Sequence, residues 1–501
     1  MGFRAVSVVF LTLVSIPART DPRKIDISAE IQTVLDTIQP SSLRKNLSYI
    51  ASDELEGRDT PSRGLDLAAD YIAEQFRVAG LEPGVGTSYF QEAPMLVEDP
   101  NFSDFEIQLQ AGGRRFDAVP KDARLRVSAQ LDMTGEPLFK LDLADETLVK
   151  QLQPSQLEGR VVITRIEPRF RGRMREAGRA LREGKPALLI VVDAKGLTTR
   201  GEPVHRLVDP SARQQNSAAA RVTLTGDAAA HFYDSLPAGV TNAAATVHIA
   251  APRETPVKLR NVIGVLRGSD PALRDQCVLL TAHYDHLGMK PTGAGDRIYN
   301  GANDDGSGTV SVLEGARALA HLAQHPRRSI VFMTFFGEEE GLIGSKYYAH
   351  HPVWPLAKTV ADLNLEQLGR TDATDGRQVS DASLTGFDYS DLTNYVERAG
   401  ESTGIRIYKN ERASDVYFPD SDNFSLAEVG VPAQTLFVAL DFPDYHAVGD
   451  EWQKIDFDNM AKVDRAITLA VFLMADSADR VHWNQGNSKT APYVKAGAGL
   501  Q

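Results

Sequence analysis

Cysteine is almost absent from this chain, because Cys277 is the only one among 501 residues. A single thiol cannot form an internal disulfide, so a disulfide framework and a structural cysteine site for metal are both excluded. The same scarcity makes export into an oxidising compartment tolerable for the chain. Cys277 begins an apolar strand-like run, and we predict that it is a core residue.

An excess of positive charge is also lacking. The 54 Lys and Arg residues are outnumbered by 67 Asp and Glu residues, which gives a formal net charge of −13. A chain of this charge is not attracted to nucleic acid and is repelled by an anionic membrane surface. We therefore expect no nucleic-acid partner.

The apolar run near the N-terminus is too short to cross a bilayer. Residues 5–16 are a run of 12, whereas a membrane-spanning helix needs about 20. Arg4 precedes the run, and Ser15-Ile16-Pro17-Ala18 ends it. This order predicts a secretory signal over residues 1–20, a secreted or periplasmic protein, and no integral membrane segment in the mature chain. A buried N-terminal helix is the alternative.

The character of the chain changes three times along its length. Residues 21–95 are mainly of helical pattern, and residues 96–255 have short alternating runs with frequent Gly and Pro. Within that second segment, residues 160–164 and 187–192 are strand-like and flank an Arg-rich helical stretch, which predicts a strand-helix-strand unit. Residues 256–478 alternate strands and helices, and residues 479–501 have a composition that predicts disorder. The predicted fold is α/β, with a doubly wound mixed sheet, helices on both faces and a smaller β-rich α+β inserted domain.

Within the alternating segment, we predict strands at residues 261–266, 278–282, 330–336, 360–365 and 434–440, and helices at 308–322 and 457–475. Most of the acidic and imidazole clusters follow these strands directly. In an open α/β sheet, the carboxyl ends of the strands are where ligands bind. The clusters are His283-Tyr284-Asp285, Asn303-Asp304-Asp305-Gly306, Gly337-Glu338-Glu339-Glu340, Glu366 and His446.

These clusters have the donor types of a metal-dependent hydrolase. Imidazole and carboxylate ligands without thiolate fit zinc or a neighbouring divalent metal. Asp285 lies two residues after His283 and can hold its imidazole. Of Asp304 and Asp305, one can bridge two cations while the other caps the following helix. Of Glu338 and Glu339, one can bind metal while the other acts as general base.

The order and spacing of these motifs resemble peptidase family M28, the co-catalytic zinc peptidases. Gly-Glu-Glu-Glu-Gly-Leu-Ile-Gly-Ser at residues 337–345 is the strongest match, and Asp53-Glu54-Leu55-Glu56-Gly57-Arg58 is similar to the opening of the family. The resemblance implies a zinc-exopeptidase (phosphorylase/hydrolase-like) fold and two zinc ions per chain. It assigns His283 and Glu366 to one zinc, Glu339 and His446 to the other, and Asp304 to both.

The same resemblance implies roles for the remaining residues. Glu338 is the general base, Asp285 orients His283, and Tyr445 hydrogen-bonds the tetrahedral intermediate; ring packing beside the pocket is the alternative for Tyr445. Many family members have Asp where Glu366 stands, and Glu is one methylene longer but can still ligate. Residues 96–255 resemble a protease-associated (PA) insert.

Several neighbouring residues have alternative interpretations. A shift of one residue would replace Asp304 by Asp305, or Glu339 by Glu340. His286 can bind metal, but an extended strand would direct it away from Asp285, so we expect it in the core or at the rim. Asp450 either supports His446 or belongs to a turn before the last helix.

The sequence therefore predicts an exported zinc-dependent exopeptidase acting on peptides. We expect an aminopeptidase, because an acidic metal pocket can hold a free α-ammonium group. A carboxypeptidase would need a cation such as Arg406, Lys409 or Arg412 for the substrate carboxylate. A glutaminyl cyclase with one zinc and a tryptophan-lined pocket remains possible on the same fold, as does a non-catalytic binding ectodomain.

Overall fold

The structure is a computed structural model that describes residues 27–167, 170–195, 205–211, 220–290, 292–374 and 376–500. The predicted signal segment, residues 1–20, lies outside this range. In the described part of the chain, none of the helices combines the length and the apolar composition needed to cross a bilayer. Helices and strands alternate along most of the chain.

The strands, in chain order, are β1 (Glu82–Pro83), β2 (Phe90–Asp99), β3 (Glu106–Ala111), β4 (Arg114–Asp117), β5 (Ala123–Arg126), β6 (Leu131–Leu141), β7 (Val161–Arg165), β8 (Leu188–Asp193), β9 (Arg206–Val208), β10 (Arg221–Thr225), β11 (Gly239–Ile249), β12 (Arg253–Leu266), β13 (Cys277–His283), β14 (Ser329–Phe335), β15 (Thr359–Glu366), β16 (Asp372–Ala373), β17 (Gly376–Arg377), β18 (Asp381–Leu384), β19 (Arg406–Ile407) and β20 (Ala433–Phe437).

The helices are α1 (Ala29–Leu35), α2 (Pro40–Ile50), α3 (Arg63–Val78), α4 (Glu146–Gln151), α5 (Arg171–Gly184), α6 (Asp227–Asp234), α7 (Gly308–Leu319), α8 (Ile343–His350), α9 (Leu392–Thr403), α10 (Asn423–Glu428), α11 (Phe457–Asp476) and α12 (Ala491–Ala498). Serine caps two of the N-terminal helices, because the Ser28 and Ser62 hydroxyls accept from the backbone N–H groups of Ile31 and Leu65.

The larger sheet is mixed, with the order β19-β18-β20-β15-β13-β14-β12-β2-β9, and β1 pairs with β12. Strands β14, β13, β15 and β20 are parallel, so their carboxyl ends meet at one edge. Leu279 and Leu280, neighbours on β13, pack into different apolar clusters on the two faces. A parallel strand that is covered on both faces is apolar throughout, which explains the continuous runs in the sequence. Cys277 is buried at the start of β13, as predicted.

Helices cover both faces of this sheet. The cluster on one face includes buried residues of α1, α2, α3, α7, α9 and α11, and the cluster on the other includes residues of α8 and α10. The prediction of an α/β fold is confirmed at this level.

A second sheet has the order β4-β3-β11-β6-β7-β8-β10-β5 and has apolar clusters of its own. The predicted strand-helix-strand unit is present, since β7 and β8 are parallel neighbours and α5 connects them. The predicted boundaries at residues 96 and 255 fall inside strands, however. Strands β2 and β12 pair continuously from Phe90↔Val262 to Asp99↔Arg253 in the larger sheet, and β9 pairs with β2 there. The amino-acid composition changes at positions that lie within β2 and β12. The boundaries predicted from composition therefore differ from the ends of the strands that connect the two sheets.

The prediction that residues 479–501 are disordered is wrong. Helix α12 lies in this segment, and the ring of Tyr493 packs against Trp483 and Phe418, with centroids 5.1 and 5.5 Å apart. The segment has few apolar residues, but those it has meet an apolar patch on one face of the larger sheet. The composition of a segment does not show that a residue distant in sequence, here Phe418, packs against it.

The packing of Tyr493 predicts a measurable stability. Replacing Tyr493 by Ala removes three aromatic contacts, with Trp483, Phe418 and Phe424, and should lower the free energy of unfolding by about 1–3 kcal/mol. Urea denaturation measures the change. Lys495→Ala, at an exposed position of the same helix, is the control and should change stability by less than about 0.5 kcal/mol. Equal stability of Tyr493→Ala and the parent would contradict the packing.

Candidate metal centre

The predicted ligands converge at the carboxyl edge of the parallel strands. His283 is the last residue of β13, and Glu366 is the last residue of β15, the next strand in the sheet. Asp304 lies in an irregular helical turn, Ala302–Ser307, directly before α7. Glu338 and Glu339 follow β14, and His446 follows β20. Separate loops therefore deliver acids and imidazoles to one buried space.

Asp304 is shared between two imidazoles. Its Oδ1 lies 3.4 Å from His283 Nε2, and its Oδ2 lies 3.2 Å from His446 Nε2. The residue is only 2% exposed, so its carboxylate is held in the interior. Each of its oxygens thus faces a different half of the centre.

Each half contains one further carboxylate. His283 Nε2 lies 3.7 Å from Glu366 Oε1, and His446 Nε2 lies 3.3 Å from Glu339 Oε2. His283, Asp304 and Glu366 offer ligand atoms that all lie within 4.8 Å of one another. The second such group is His286, Asp304 and Glu339, and His446 Nε2 lies 3.2 and 3.3 Å from its two carboxylates. The two groups have Asp304 in common.

These separations fit divalent metal ions. Two ligands at about 2.0–2.1 Å from a tetrahedral zinc ion lie about 3.3 Å apart, which is longer than a hydrogen bond between nitrogen and oxygen. Four separations, between 3.2 and 3.7 Å, are close to that value. In addition, the buried His283 Nε2 has no hydrogen-bond partner among the described residues. Because this nitrogen faces the carboxylates of Asp304 and Glu366, a metal ion between them would satisfy it.

Asp285 connects the imidazole to the glutamate loop. Its carboxylate oxygen lies 3.5 Å from His283 Nδ1, and its two oxygens accept from the backbone N–H groups of Glu338 and Glu339 at 3.0 and 3.3 Å. One buried carboxylate therefore anchors the backbone of both glutamates and lies beside the imidazole of His283.

Glu338 and Glu339 differ in electrostatic environment. Burial raises the pKa of Glu338 well above its usual range; the neighbouring carboxylates of Glu339 and Glu366 raise it further, against the effect of His283. For Glu339, burial acts in the same direction, but hydrogen bonds with His286 and His446 lower its pKa to about 2. Glu338 is thus the carboxylate that holds a proton more readily.

The neighbouring acids have other partners. Asp305 Oδ1 accepts from the backbone N–H groups of Gly308 and Gln367, at 2.9 and 3.1 Å, so Asp305 caps α7. Glu340 lies outside both metal-like clusters of the described chain; burial and then Asp59 raise its pKa to about 8. The structure thus brings Asp304 and Glu339, rather than Asp305 and Glu340, to the imidazoles.

Three residues near the centre make contacts that were not predicted from the sequence. His286 was expected in the core or at the rim, but its Nδ1 lies 2.7 Å from Glu339 Oε1. The expectation assumed an extended chain, whereas β13 ends at His283. Asp450 accepts from the backbone N–H groups of Asn303 and Asp304. Arg58 is fully buried and donates to the carbonyls of Ile50, Tyr284, Asn300 and Gly301.

Tyr445 lies at the open side of the centre. Its ring stacks on His446, with centroids 4.0 Å apart and an interplanar angle of 21°, and the residue is 45% exposed. Partial burial and then the carboxylates of Asp304 and Glu339 raise the pKa of Tyr445, which keeps its hydroxyl protonated. The ring packs beside that of His446, and its hydroxyl is a hydrogen-bond donor.

Two of the cations considered for a substrate carboxylate are in ion pairs. Arg406 Nε donates to Asp381 at 2.9 Å, and Lys409 Nζ lies 2.8 and 3.2 Å from Asp388 and Glu411. Strand β19, which begins at Arg406, is the edge strand of the larger sheet.

A family model confirms the identity of this region. The model described as peptidase family M28 matches residues 261–471, which include the strand ends and loops that form the centre. Residues 261–471 belong to peptidase family M28. The M28 domain therefore contains both three-residue clusters.

Curated relatives match over parts of their length. A probable glutamate carboxypeptidase of Zea mays is 30% identical over 213 residues, which are 39% of this chain and 27% of the relative. A probable zinc metalloprotease of Pyrenophora teres is 37% identical over 24% of this chain and 25% of its own length. Aminopeptidase YwaD of Bacillus subtilis is 28% identical over 42% of this chain and 44% of its own length. The chain thus spans about a quarter to less than half of these relatives.

Two solved structures are similar to the whole chain in fold. An aminopeptidase from Aneurinibacillus sp. strain AM-1 has a TM-score of 0.57 and 19% identity, and the match covers 90% of this chain and 97% of that protein. A zinc aminopeptidase from Bacillus subtilis has a TM-score of 0.51 and 17% identity, with 88% and 97% covered. At this identity, the likeness supports the α/β fold of the M28 domain and carries no residue roles.

The charges of the centre predict that metal uptake releases protons. Burial disfavours a charged His446, but the facing carboxylates of Asp304 and Glu339 prevail and raise its pKa to about 10. Without metal, His446 is therefore protonated at neutral pH, and a metal ion must displace that proton. Zinc affinity should rise as pH increases from 6 towards 10. Calorimetric titration with zinc at pH 7, in buffers of different ionisation enthalpy, measures the released protons.

His446→Asn is the control for this titration and should release fewer protons per chain than the parent. A zinc-binding heat that does not depend on the buffer would contradict the prediction, because it would mean that no proton is displaced.

Proposed function

We propose that this chain is an exported, zinc-dependent exopeptidase, and specifically an aminopeptidase that removes N-terminal residues from peptides. The observation that carries the proposal is the sharing of Asp304 between His283 and His446, with Glu366 and Glu339 completing the two halves. The match of residues 261–471 to family M28 supports the same reaction class.

The residues present would hold two zinc ions. His283, Asp304 and Glu366 would bind one, and His446, Asp304 and Glu339 would bind the other. When bound, the pair supplies Lewis-acid polarisation of the scissile carbonyl and activation of water. Such mixed imidazole and carboxylate sites leave room for substrate and water, as catalytic zinc sites do.

Glu338 would act as the general base. Its carboxylate takes a proton from the attacking water and returns it to the leaving amine, so the same group serves twice. The raised pKa of Glu338 favours the first of these steps, because a carboxylate of higher pKa is the stronger base. Asp285 contributes by fixing the backbone of Glu338 and the ring of His283.

Tyr445 would stabilise the tetrahedral intermediate. The ring stacks on His446, and the exposed side of the residue is open to substrate. Its raised pKa keeps the hydroxyl protonated, so it can donate a hydrogen bond to an oxyanion. Simple packing of the ring against His446 is the alternative role.

Aminopeptidase activity is favoured over carboxypeptidase activity by charge. The centre concentrates the carboxylates of Asp304, Glu338 and Glu339, which attract a free α-ammonium group. A carboxypeptidase needs a cation instead, and Arg406 and Lys409 are already in ion pairs. Carboxypeptidase activity is the second candidate, because one similar protein is a probable glutamate carboxypeptidase of Zea mays.

A glutaminyl cyclase and a non-catalytic ectodomain receive less support. For the cyclase, tryptophans should line the pocket, but the indoles of Trp354 and Trp483 donate to the carbonyls of Asp275 and Gly430. The third tryptophan, Trp452, packs against the main apolar core. A non-catalytic ectodomain would be expected to lose ligands, whereas all five proposed ligands are present.

Two further parts of the proposal concern segments outside the metal centre. Export is proposed from the signal-like residues 1–20. We also propose that the second sheet is the core of a PA-like insert in a doubly wound peptidase domain.

If Glu338 is the general base, replacing it should reduce turnover without reducing metal binding. Glu338→Gln should still bind two zinc ions but hydrolyse aminoacyl-nitroanilides at least about a hundredfold more slowly, since the general base is lost. Metal content by elemental analysis and steady-state kcat measure the two properties. Glu340→Gln is the matched control at the next acid along the chain and should keep turnover within about threefold. Normal turnover of Glu338→Gln would refute the assignment.

Substrate choice tests the form of the exopeptidase. The zinc-loaded protein should cleave peptides with a free N-terminus, leave N-acetylated peptides intact and not cyclise N-terminal glutaminyl peptides. Dialysis against a chelator should abolish the activity, and added zinc should restore it. Release of C-terminal residues from N-acetylated peptides, observed by mass spectrometry, would favour the carboxypeptidase instead.

A further inference from the structure

His286 is the buried imidazole for which the proposed reaction has no role. It lies one residue beyond Asp285 and is 1% exposed. Its Nδ1 is 2.7 Å from Glu339 Oε1, and its Nε2 has no hydrogen-bond partner among the described residues. His286, Asp304 and Glu339 also form one of the two groups that could hold a metal ion, so the contact of Nδ1 has to decide between a ligand and a hydrogen-bond donor. The other oxygen of the Glu339 carboxylate, Oε2, lies 3.3 Å from His446 Nε2. Glu339 is therefore held between two imidazoles, one on each oxygen.

The two separations have different meanings. A distance of 2.7 Å between nitrogen and oxygen is that of a short, charge-assisted hydrogen bond. Two ligands of one tetrahedral zinc ion are about 3.3 Å apart, because each lies about 2.0–2.1 Å from the metal. The contact from His286 to Glu339 fits the hydrogen bond, and the contact from His446 to Glu339 fits a pair of ligands.

Glu339 needs such a restraint because a glutamate has three rotatable side-chain bonds. With Oε1 occupied by a donor, only Oε2 is directed to the metal position, next to Asp304 Oδ2 and His446 Nε2. Groups that hydrogen-bond to metal ligands fix their orientation in this way. Among the described residues, His286 is the side chain placed to do so for Glu339.

The surrounding backbone fixes His286 itself. Its N–H donates to the carbonyl of Arg58 at 3.2 Å. Gly301 has a φ of 55°, and a Cβ at Gly301 would lie 2.4 Å from the Cγ atom of His286, so only glycine leaves space for the ring. The ring meets that of His446 edge-on, at a centroid distance of 5.7 Å.

We propose that His286 is a positioning residue: its Nδ1–H holds Oε1 of Glu339 so that Oε2 alone binds the second zinc ion. The inference rests on the proposed function, since it assumes that the pair Glu339 and His446 binds metal. His286 touches neither substrate nor metal in this role, and it acts through Glu339.

The test compares His286→Leu with His286→Asn in the full-length protein. Leu fills the space but donates no hydrogen bond, whereas the Asn amide nitrogen lies close to where Nδ1 was. Zinc titration by calorimetry should show one of two sites weakened by about 10–100-fold in His286→Leu, and affinity within about threefold of the parent in His286→Asn. The visible spectrum of the cobalt-loaded protein should change in His286→Leu for one ion only.

His446→Ala provides the reference for a lost ligand and should bind one zinc ion only. If His286→Leu loses a zinc ion as completely, His286 is a ligand and the proposal is overturned. Parent-like zinc affinity at both sites in His286→Leu overturns it as well. If the parent itself binds fewer than two zinc ions, the proposed function fails first, so the two failures are distinguishable.

A measurement on the parent protein avoids any folding defect of the variants. With ¹⁵N-labelled histidine and zinc bound, NMR should show that His286 retains a proton on Nδ1, shielded from exchange by Glu339. Loss of that proton on zinc binding would overturn the proposal.

Discussion

The burial of several carboxylates in one small space is the constraint on which the centre depends. Asp304, Glu338, Glu339 and Glu366 are all largely withdrawn from water, and isolated charges are costly there. Nearby positive charge, or a proton on a carboxylate such as Glu338, makes the arrangement stable. His283 and His446 can carry it as protons, because the carboxylates outweigh burial and raise the pKa of both imidazoles. Divalent ions would satisfy the same need more completely, so the acids proposed to bind metal also create the electrostatic demand for it.

The sequence revealed the fold class because buried parallel strands are apolar along their whole length. The five predicted strands overlap β12, β13, β14, β15 and β20, and the two predicted helices begin at Gly308 and Phe457, where α7 and α11 begin. The motif positions followed from the same regularity, since His283 and Glu366 are the last residues of neighbouring strands. The features that the buried parallel strands determine were therefore predictable from the sequence.

The remaining features depend on contacts that leave no local pattern. The contact of His286 with Glu339 follows from the end of β13, which an assumed extended chain does not anticipate. Helix α12 is ordered by Phe418 and Trp483, of which Phe418 is distant in sequence. The continuation of β2 and β12 beyond the change in composition is set by their pairing with each other. Each of these was missed because its cause lies elsewhere in the chain.

The guanidinium of Arg58 has a consequence for how the molecule can be assembled. It donates to carbonyls at residues 50, 284, 300 and 301. These hydrogen bonds join segments that are more than 200 positions apart in the sequence. The intervening second sheet, from Glu106 to Ile249, has an interior of its own and can close while the ribosome is still making the rest. The peptidase half must wait for residues beyond Asp450. A fragment beginning after Ile249 would lack Arg58 and leave the carbonyls of Tyr284, Asn300 and Gly301 without this donor, so the two parts of the chain that flank the second sheet depend on each other.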